Sequence, residues 1–152
     1  PGETTVEYGV NGFALSASGT RELFVDGGSE KHSQWIHKVR LTELEPNSKY
    51  IYHCGSSQGW SSLFYFSTFP EGSDWQPRIV LYGDMGNENI QSIPRLQEET
   101  QRGLYDAVIH VGDFAYDMDS NNAKVGDEFM KQIESIAAYV PYFVCPGNHE
   151  EA

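Results

Sequence analysis

Ala107-Val108-Ile109-His110-Val111 runs straight into Gly112-Asp113-Phe114-Ala115-Tyr116-Asp117. A short, nearly continuous apolar run bounded by glycine reads as a strand buried on both faces, because a half-exposed strand alternates. The polar cluster begins where the strand must stop. The same grammar occurs on either side. Ile79-Val80-Leu81-Tyr82 leads into Gly83-Asp84-Met85-Gly86, and Tyr142-Phe143-Val144-Cys145 leads into Pro146-Gly147-Asn148-His149-Glu150.

Helical periodicity fills the gaps. One helix is expected from about Ser92 to Arg102, with Pro94 in its first turn and Gly103 as C-terminal cap. A second should place Phe129, Ile133, Ile136, Ala137 and Val140 on one face and stop at Pro141. The order β-α-β-α-β over residues 77–152 predicts an α/β half-domain with a parallel sheet. Ligands of such sheets bind outside the carboxyl ends of the strands. That rule brings Asp84, Asp113 and Asn148 to one edge.

Before residue 70 the texture differs. Thr5–Val10, Arg21–Val25, Trp35–Leu41, Lys49–Cys54 and Leu63–Ser67 read as five short strands. Turn signals separate them at Asn11-Gly12, Asp26-Gly27-Gly28, Glu45-Pro46-Asn47-Ser48 and Gly55 to Gly59. The spacing predicts an all-β partial sandwich, since a full one needs about seven strands. Phe69–Asp74 is polar and turn-rich, a linker between domains at 1–69 and 77–152.

Acids outnumber bases 22 to 10, for a net charge of −12, which disfavours a nucleic-acid partner held by clustered Lys and Arg. No stretch reaches the roughly 18 apolar residues of a membrane helix. Cys54 and Cys145 form neither a disulfide framework nor a metal knuckle, and leave the redox compartment open.

The strand-end clusters carry the chemistry. Carboxylates, an amide oxygen and an imidazole suit a divalent or trivalent metal. Asp113, on the middle strand in sequence order, is placed to bridge two ions. A two-metal site, with ions about 3.5–4 Å apart, activates water near neutral pH and clamps both oxygens of an in-line phosphoryl displacement. A single Gly-Asp after a strand is commonly just a turn or a helix cap. Its recurrence at three successive strand ends favours a site.

Gly83-Asp84-Met85-Gly86, Gly112-Asp113-X-X-Tyr116 and Gly147-Asn148-His149-Glu150 resemble the first three of five signature blocks of the purple acid phosphatases, calcineurin-like metallophosphoesterases. Phe24-Val25-Asp26-Gly27-Gly28, and Tyr52-His53-Cys54-Gly55 with Gly59-Trp60-Ser61-Ser62, resemble that family's fibronectin-III-like N-terminal domain. The resemblance spans nearly the whole chain. Tyr116 discriminates: most calcineurin-like enzymes have an acidic residue there, and a His where this chain has Gly86. A phenolate is a hard, strongly donating anion that favours ferric iron, and in the family it gives the purple colour. The resemblance implies that Asp84 and Tyr116 bind Fe(III), that Asp113 bridges, and that Asn148 binds a second metal (Zn, Fe or Mn). It places His149 near the substrate phosphate, where it stabilises or protonates; the alternative for His149 is a residue that holds the loop. It further implies an acid phosphatase acting on phosphate monoesters, and an extracellular or lysosomal location.

The family completes its site with Val-X-X-His and Gly-His-X-His blocks that do not occur among these 152 residues. Four of seven ligands are therefore expected here, with little metal binding and no turnover by residues 1–152 alone. Asp117-X-Asp119-X-Asn121 with Glu128 resembles EF-hand spacing, but Asn122 stands where glycine is needed and a strand precedes the loop. A polar loop is expected instead. The competing functions are another metallophosphoesterase (a diesterase or nucleotidase) and a non-catalytic interaction module.

Overall fold

The computed structural model describes residues 2–88 and 90–150. The chain divides into two compact units, one comprising residues up to 26 with 33–75, the other 27–32 with those from 76 onward. Each is built on its own sheet.

The first unit is all β. Its strands are β1 (Thr5–Gly9), β2 (Leu15–Ser18), β3 (Thr20–Val25), β4 (Ser33–Lys38), β5 (Lys49–Ser56), β6 (Gly59–Trp60) and β7 (Phe64–Ser67). A five-stranded antiparallel sheet runs β2-β1-β5-β6, with β7 also paired to β5, and β3–β4 form a separate two-stranded ribbon. Alternation in β1 buries Val6 and Tyr8, which meet Tyr50 of β5 in the core, flanked by Val39, Leu41, Leu44 and Phe66. The Tyr50 hydroxyl accepts the amide N–H of Glu45 at 2.9 Å, and its ring stacks on Phe66 at 5.4 Å. A tyrosine bonded back to the backbone a few residues upstream is a corner device of β-sandwiches.

Two strands escape the sequence reading. Leu15-Ser16-Ala17-Ser18 has no β-branched residue, yet Asn11-Gly12 joins it to β1 in a hairpin with Tyr8 opposite Leu15. Gly59–Trp60 is a two-residue strand against Gly55–Ser56. Gly55, expected to open a turn, lies inside β5, where the Gly59 carbonyl leaves no room for a β-carbon. The expected strand at Trp35–Leu41 is shifted, with β4 starting at Ser33 and ending at Lys38.

The second unit is β8 (Ile79–Tyr82), α1 (Ile93–Gln101), β9 (Ala107–Val111), α2 (Lys124–Ala137), β10 (Tyr142–Cys145) and a 3₁₀ turn, Asn148–Glu150. The three strands are parallel in the order β10-β9-β8. α1 begins after Ser92 with Pro94 in its first turn, and Gly103 follows in the left-handed region at φ 75°, where a residue without Cβ is unstrained. α2 buries Phe129, Ile133 and Ile136 as expected, but Ala137 is exposed and Val140 lies beyond the helix, which ends before Pro141 can break it.

Among the described residues the sheet is covered on one face only. His110 and Val108 are fully buried, and His110 packs on Phe129 of α2 at 5.9 Å. Ile79, Leu81, Val111 and Phe143, on the opposite face, are 47–65% exposed. Both crossovers advance the same way across the sheet, and right-handed connections then put both helices on one side.

The entrance ends of β8 and β9 are tied by charge. Asp106 accepts from the Arg78 backbone N–H at 2.7 Å, from Nε at 3.2 Å and from Nη2 at 3.0 Å, while its own N–H donates to the Arg78 carbonyl at 2.8 Å. Burial alone would raise the Asp106 pKa, but the Arg78 bonds and charge outweigh it and hold the carboxyl below its ordinary value. A lowered native pKa contributes stability that is complete above the unfolded value, about 3.9, and is lost as pH falls through the native one. Thermal melts from pH 7 to pH 2 should show Asp106→Asn less stable than wild type at neutral pH, with the gap closing below about pH 4.

Candidate metal centre

Three loops leave the carboxyl edge of the parallel sheet, and their backbones are laced together. The Asp84 N–H donates to the Gly112 carbonyl at 3.2 Å, and the Gly86 N–H to the Phe114 carbonyl at 2.9 Å. Gly112 and Gly147 allow the second and third loops to touch. A β-carbon on Gly112 would lie 2.6 Å from the Gly147 Cα, and one on Gly147 would lie 2.6 Å from the Asp113 nitrogen. Asp84, Asp113 and Tyr116 all have left-handed backbone, with φ of 54°, 50° and 53°. Such conformations in residues with a β-carbon concentrate where function demands a particular side-chain direction.

The side chains meet in part. The Tyr116 hydroxyl donates to Asp84 Oδ1 at 3.1 Å. Asp113 Oδ1 accepts the His149 backbone N–H at 3.1 Å, so it caps the 3₁₀ turn that Asn148 begins. The Tyr116 and His149 rings meet edge to face at 4.8 Å. The Asn148 amide is exposed and makes no hydrogen bond to other described residues. Asp84, Asp113, Tyr116 and His149 are thus neighbours, and Asn148 stands beside them on the third loop.

The electrostatics are one-signed. Burial, the Asp84 hydrogen bond and the charges of Asp84, Asp113 and Glu150 all push the Tyr116 phenol above its ordinary pKa. No Lys or Arg forms an ion pair with Asp84 or Asp113 among the described residues. Hard oxygen donors around an uncompensated negative potential fit a hard cation. Among the described residues no three His, Cys, Asp or Glu side chains converge closely enough to hold a metal; of those types the candidate ligand set contains only Asp84 and Asp113.

His149 Nδ1 faces Asp117 Oδ1 at 3.2 Å, and that bond holds the imidazole pKa up against burial. His110 is not part of the edge. Its Nδ1 bonds the Tyr142 hydroxyl at 2.8 Å, which meets the Tyr82 hydroxyl at 2.7 Å beneath the loops. Burial lowers the His110 pKa and raises those of both tyrosines. The EF-hand spacing makes no calcium cradle: Asp117–Ala123 closes on itself through Ser120 N–H to the Asp117 carbonyl and Ala123 N–H to the Asp119 carbonyl, both at 2.9 Å. Glu128 turns to the Asn87 amide at 3.5 Å. Residue order gives Asp117 no partner in His149 and Glu150 no role of its own; the one signal for Glu150 is its place in the block Gly147-Asn148-His149-Glu150.

Comparison with known proteins decides the family. The model of the purple acid phosphatase N-terminal domain matches residues 1–68, and that of the calcineurin-like phosphoesterases matches residues 77–152. The chain belongs to the purple acid phosphatase family. It is 54% identical over 153 residues to acid phosphatase type 7 of Danio rerio, covering 99% of this chain and 34% of that protein. It is 49% identical over 154 residues to acid phosphatase type 7 of Homo sapiens, covering 99% and 35%. The purple acid phosphatase PPD1 from yellow lupin seeds superposes with a TM-score of 0.74 at 28% identity, over 98% of this chain and 31% of that one. The chain therefore spans about a third of the length of these family members.

Close contact at Gly147 gives a direct check on the purple acid phosphatase loops. Gly147→Ala should cost about 1–3 kcal/mol by overpacking against Asp113, measured by denaturant unfolding. Gly59→Ala, whose added carbon meets nothing within 4 Å, should be much closer to neutral.

Proposed function

We propose that the full-length protein is an acid phosphatase that hydrolyses phosphate monoesters at a binuclear Fe(III)–M(II) centre, with M being Zn, Fe or Mn. The observation that carries this reading is the Tyr116 hydroxyl on the Asp84 carboxylate at 3.1 Å. It joins a phenol from the second strand exit to a carboxylate from the first, and that donor pair suits ferric iron.

In this reading Asp84 and Tyr116 hold the ferric ion, Asp113 bridges, and Asn148 offers its side-chain oxygen to the second metal. When bound, the metal pair supplies a strong nucleophile from water and neutralises charge on the phosphoryl group. His149 serves the substrate. With Nδ1 turned to Asp117, its Nε2 is left to donate to a phosphate oxygen or to protonate the leaving group. The acid-phosphatase names of the relatives support the monoester reading. They also favour an extracellular or lysosomal compartment. Among the described residues no helix is long and apolar enough to cross a membrane. We further assign residues 1–69 to a fibronectin-III-like domain, which the Tyr50 corner supports, and residues 77–152 to the opening part of the phosphoesterase domain.

Elemental analysis and visible spectroscopy of the full-length protein test this. One iron and one further metal per chain are expected, with the tyrosinate-to-iron band of a purple protein. Tyr116→Phe should abolish the band. Asp113→Asn should lower metal retention by more than the about 10–100-fold typical when a residue that merely supports a ligand is lost, and turnover of an aryl phosphate should fall with it. A colourless protein that turns over phosphodiesters and not monoesters would instead support the diesterase reading.

A further inference from the structure

The 3₁₀ turn after β10 ends in a carboxylate that the roles above leave unused. Glu150 Oε2 accepts the backbone N–H of Asp113 at 2.9 Å and of Gly147 at 2.8 Å, and Oε1 accepts that of Phe114 at 2.9 Å. In the other direction, Asp113 Oδ1 accepts the N–H of His149. The second and third loops therefore exchange carboxylates: each supplies an acid that caps the other's backbone. No Lys or Arg forms an ion pair with Glu150 among the described residues, so its charge is met by main-chain donors from both loops.

The geometry requires this side chain. Asp113 adopts φ 50°, and the amides of Asp113 and Phe114 find their acceptor in Glu150. Three N–H donors need a group with acceptor capacity on both of its atoms. A carboxylate has it; a carboxamide has one oxygen and one NH₂, which would face an N–H donor. Aspartate keeps both oxygens but withdraws them by one methylene, about 1.5 Å, too far to bridge two loops at these distances.

We propose that Glu150 is a positioning residue for the metal centre: its carboxylate sets the spacing between the Asp113 loop and the Asn148 loop, and with it the separation of the bridging ligand from the second-metal ligand. The role rests on the binuclear reading above. Residues that orient metal ligands typically contribute about 10–100-fold to metal affinity. The effect should fall on the second metal more than on the ferric ion, because Asp84 and Tyr116 meet each other independently of Glu150.

The test compares full-length wild type with Glu150→Gln and Glu150→Asp. After a chelator challenge, both variants should lose the second metal about 10–100-fold faster than wild type, with kcat lowered more than KM is raised. The visible band should persist. Metal-free melts separate this from a general loss of folding: a merely structural Glu150 would lower the metal-free melting temperature and leave metal retention per folded molecule unchanged. Amide hydrogen exchange on wild type needs no variant, and the N–H groups of Asp113, Phe114 and Gly147 should be protected. A wild type that holds two metals, with those amides unprotected or with variants that retain metal as it does, overturns the clamp and leaves the binuclear reading standing. A wild type that holds no metal pair overturns both.

Discussion

Parallel pairing makes the three strands of the second unit leave their sheet in one direction and at one level. Tyr82 of β8 and Val144 of β10 both lie opposite His110 of β9. From that shared level Asp84, Asp113 and Asn148 lie two, three and four residues further along their strands, so short loops suffice to gather them. Short loops must turn sharply, and the left-handed backbone at Asp84, Asp113 and Tyr116 does this within single residues. Each such residue costs up to about 1–2 kcal/mol relative to its relaxed backbone. The amide-to-carbonyl bonds between loops and the Glu150 carboxylate offset that cost by satisfying main-chain groups that a tight turn would strand.

Charge is segregated along the same axis. Beneath the loops burial works against charge: it lowers the His110 pKa and raises those of Tyr82 and Tyr142, and the three join in a chain of hydrogen bonds. Above them stand Asp84, Asp113, Asp117 and Glu150, and at the far end of the sheet the Arg78–Asp106 pair closes the strand entrances. The group of His110, Tyr142 and Tyr82 is part of the helix-packed face, where His110 meets Phe129 of α2. It contains no lysine or arginine to offset the acidic edge.

Much of this was legible in residue order. Pro94 and Gly103 mark α1 because proline in a first turn and a left-handed glycine after a last turn act locally, although Ser92 makes no side-chain cap bond, and three strand-plus-polar blocks foretell the common edge because parallel topology leaves little choice. Leu15–Ser18 escaped because its pairing with β1 supplies what its own propensity lacks. α2 starts after Ala123 in a left-handed conformation, with no capping side chain to announce it. An apolar run fixes what a strand would bury and not what is there to bury it, and three strands with two crossovers are too few to cover both faces. Glu150 escaped as a clamp because its partners are main-chain amides 36 and 37 residues away, and an amide has no residue identity to find.

Two departures from the wider calcineurin-like pattern, Gly86 and Tyr116, are neighbours in space. A β-carbon on Gly86 would lie 3.6–3.8 Å from the Tyr116 ring, and Gly86 has φ 71°. A β-carbon alone would make ordinary contact there. A larger side chain there would start in contact with the ring of the tyrosine that bonds Asp84, and the left-handed backbone would add strain. The phenol reaches across the first loop to Asp84 past a position that carries no side chain.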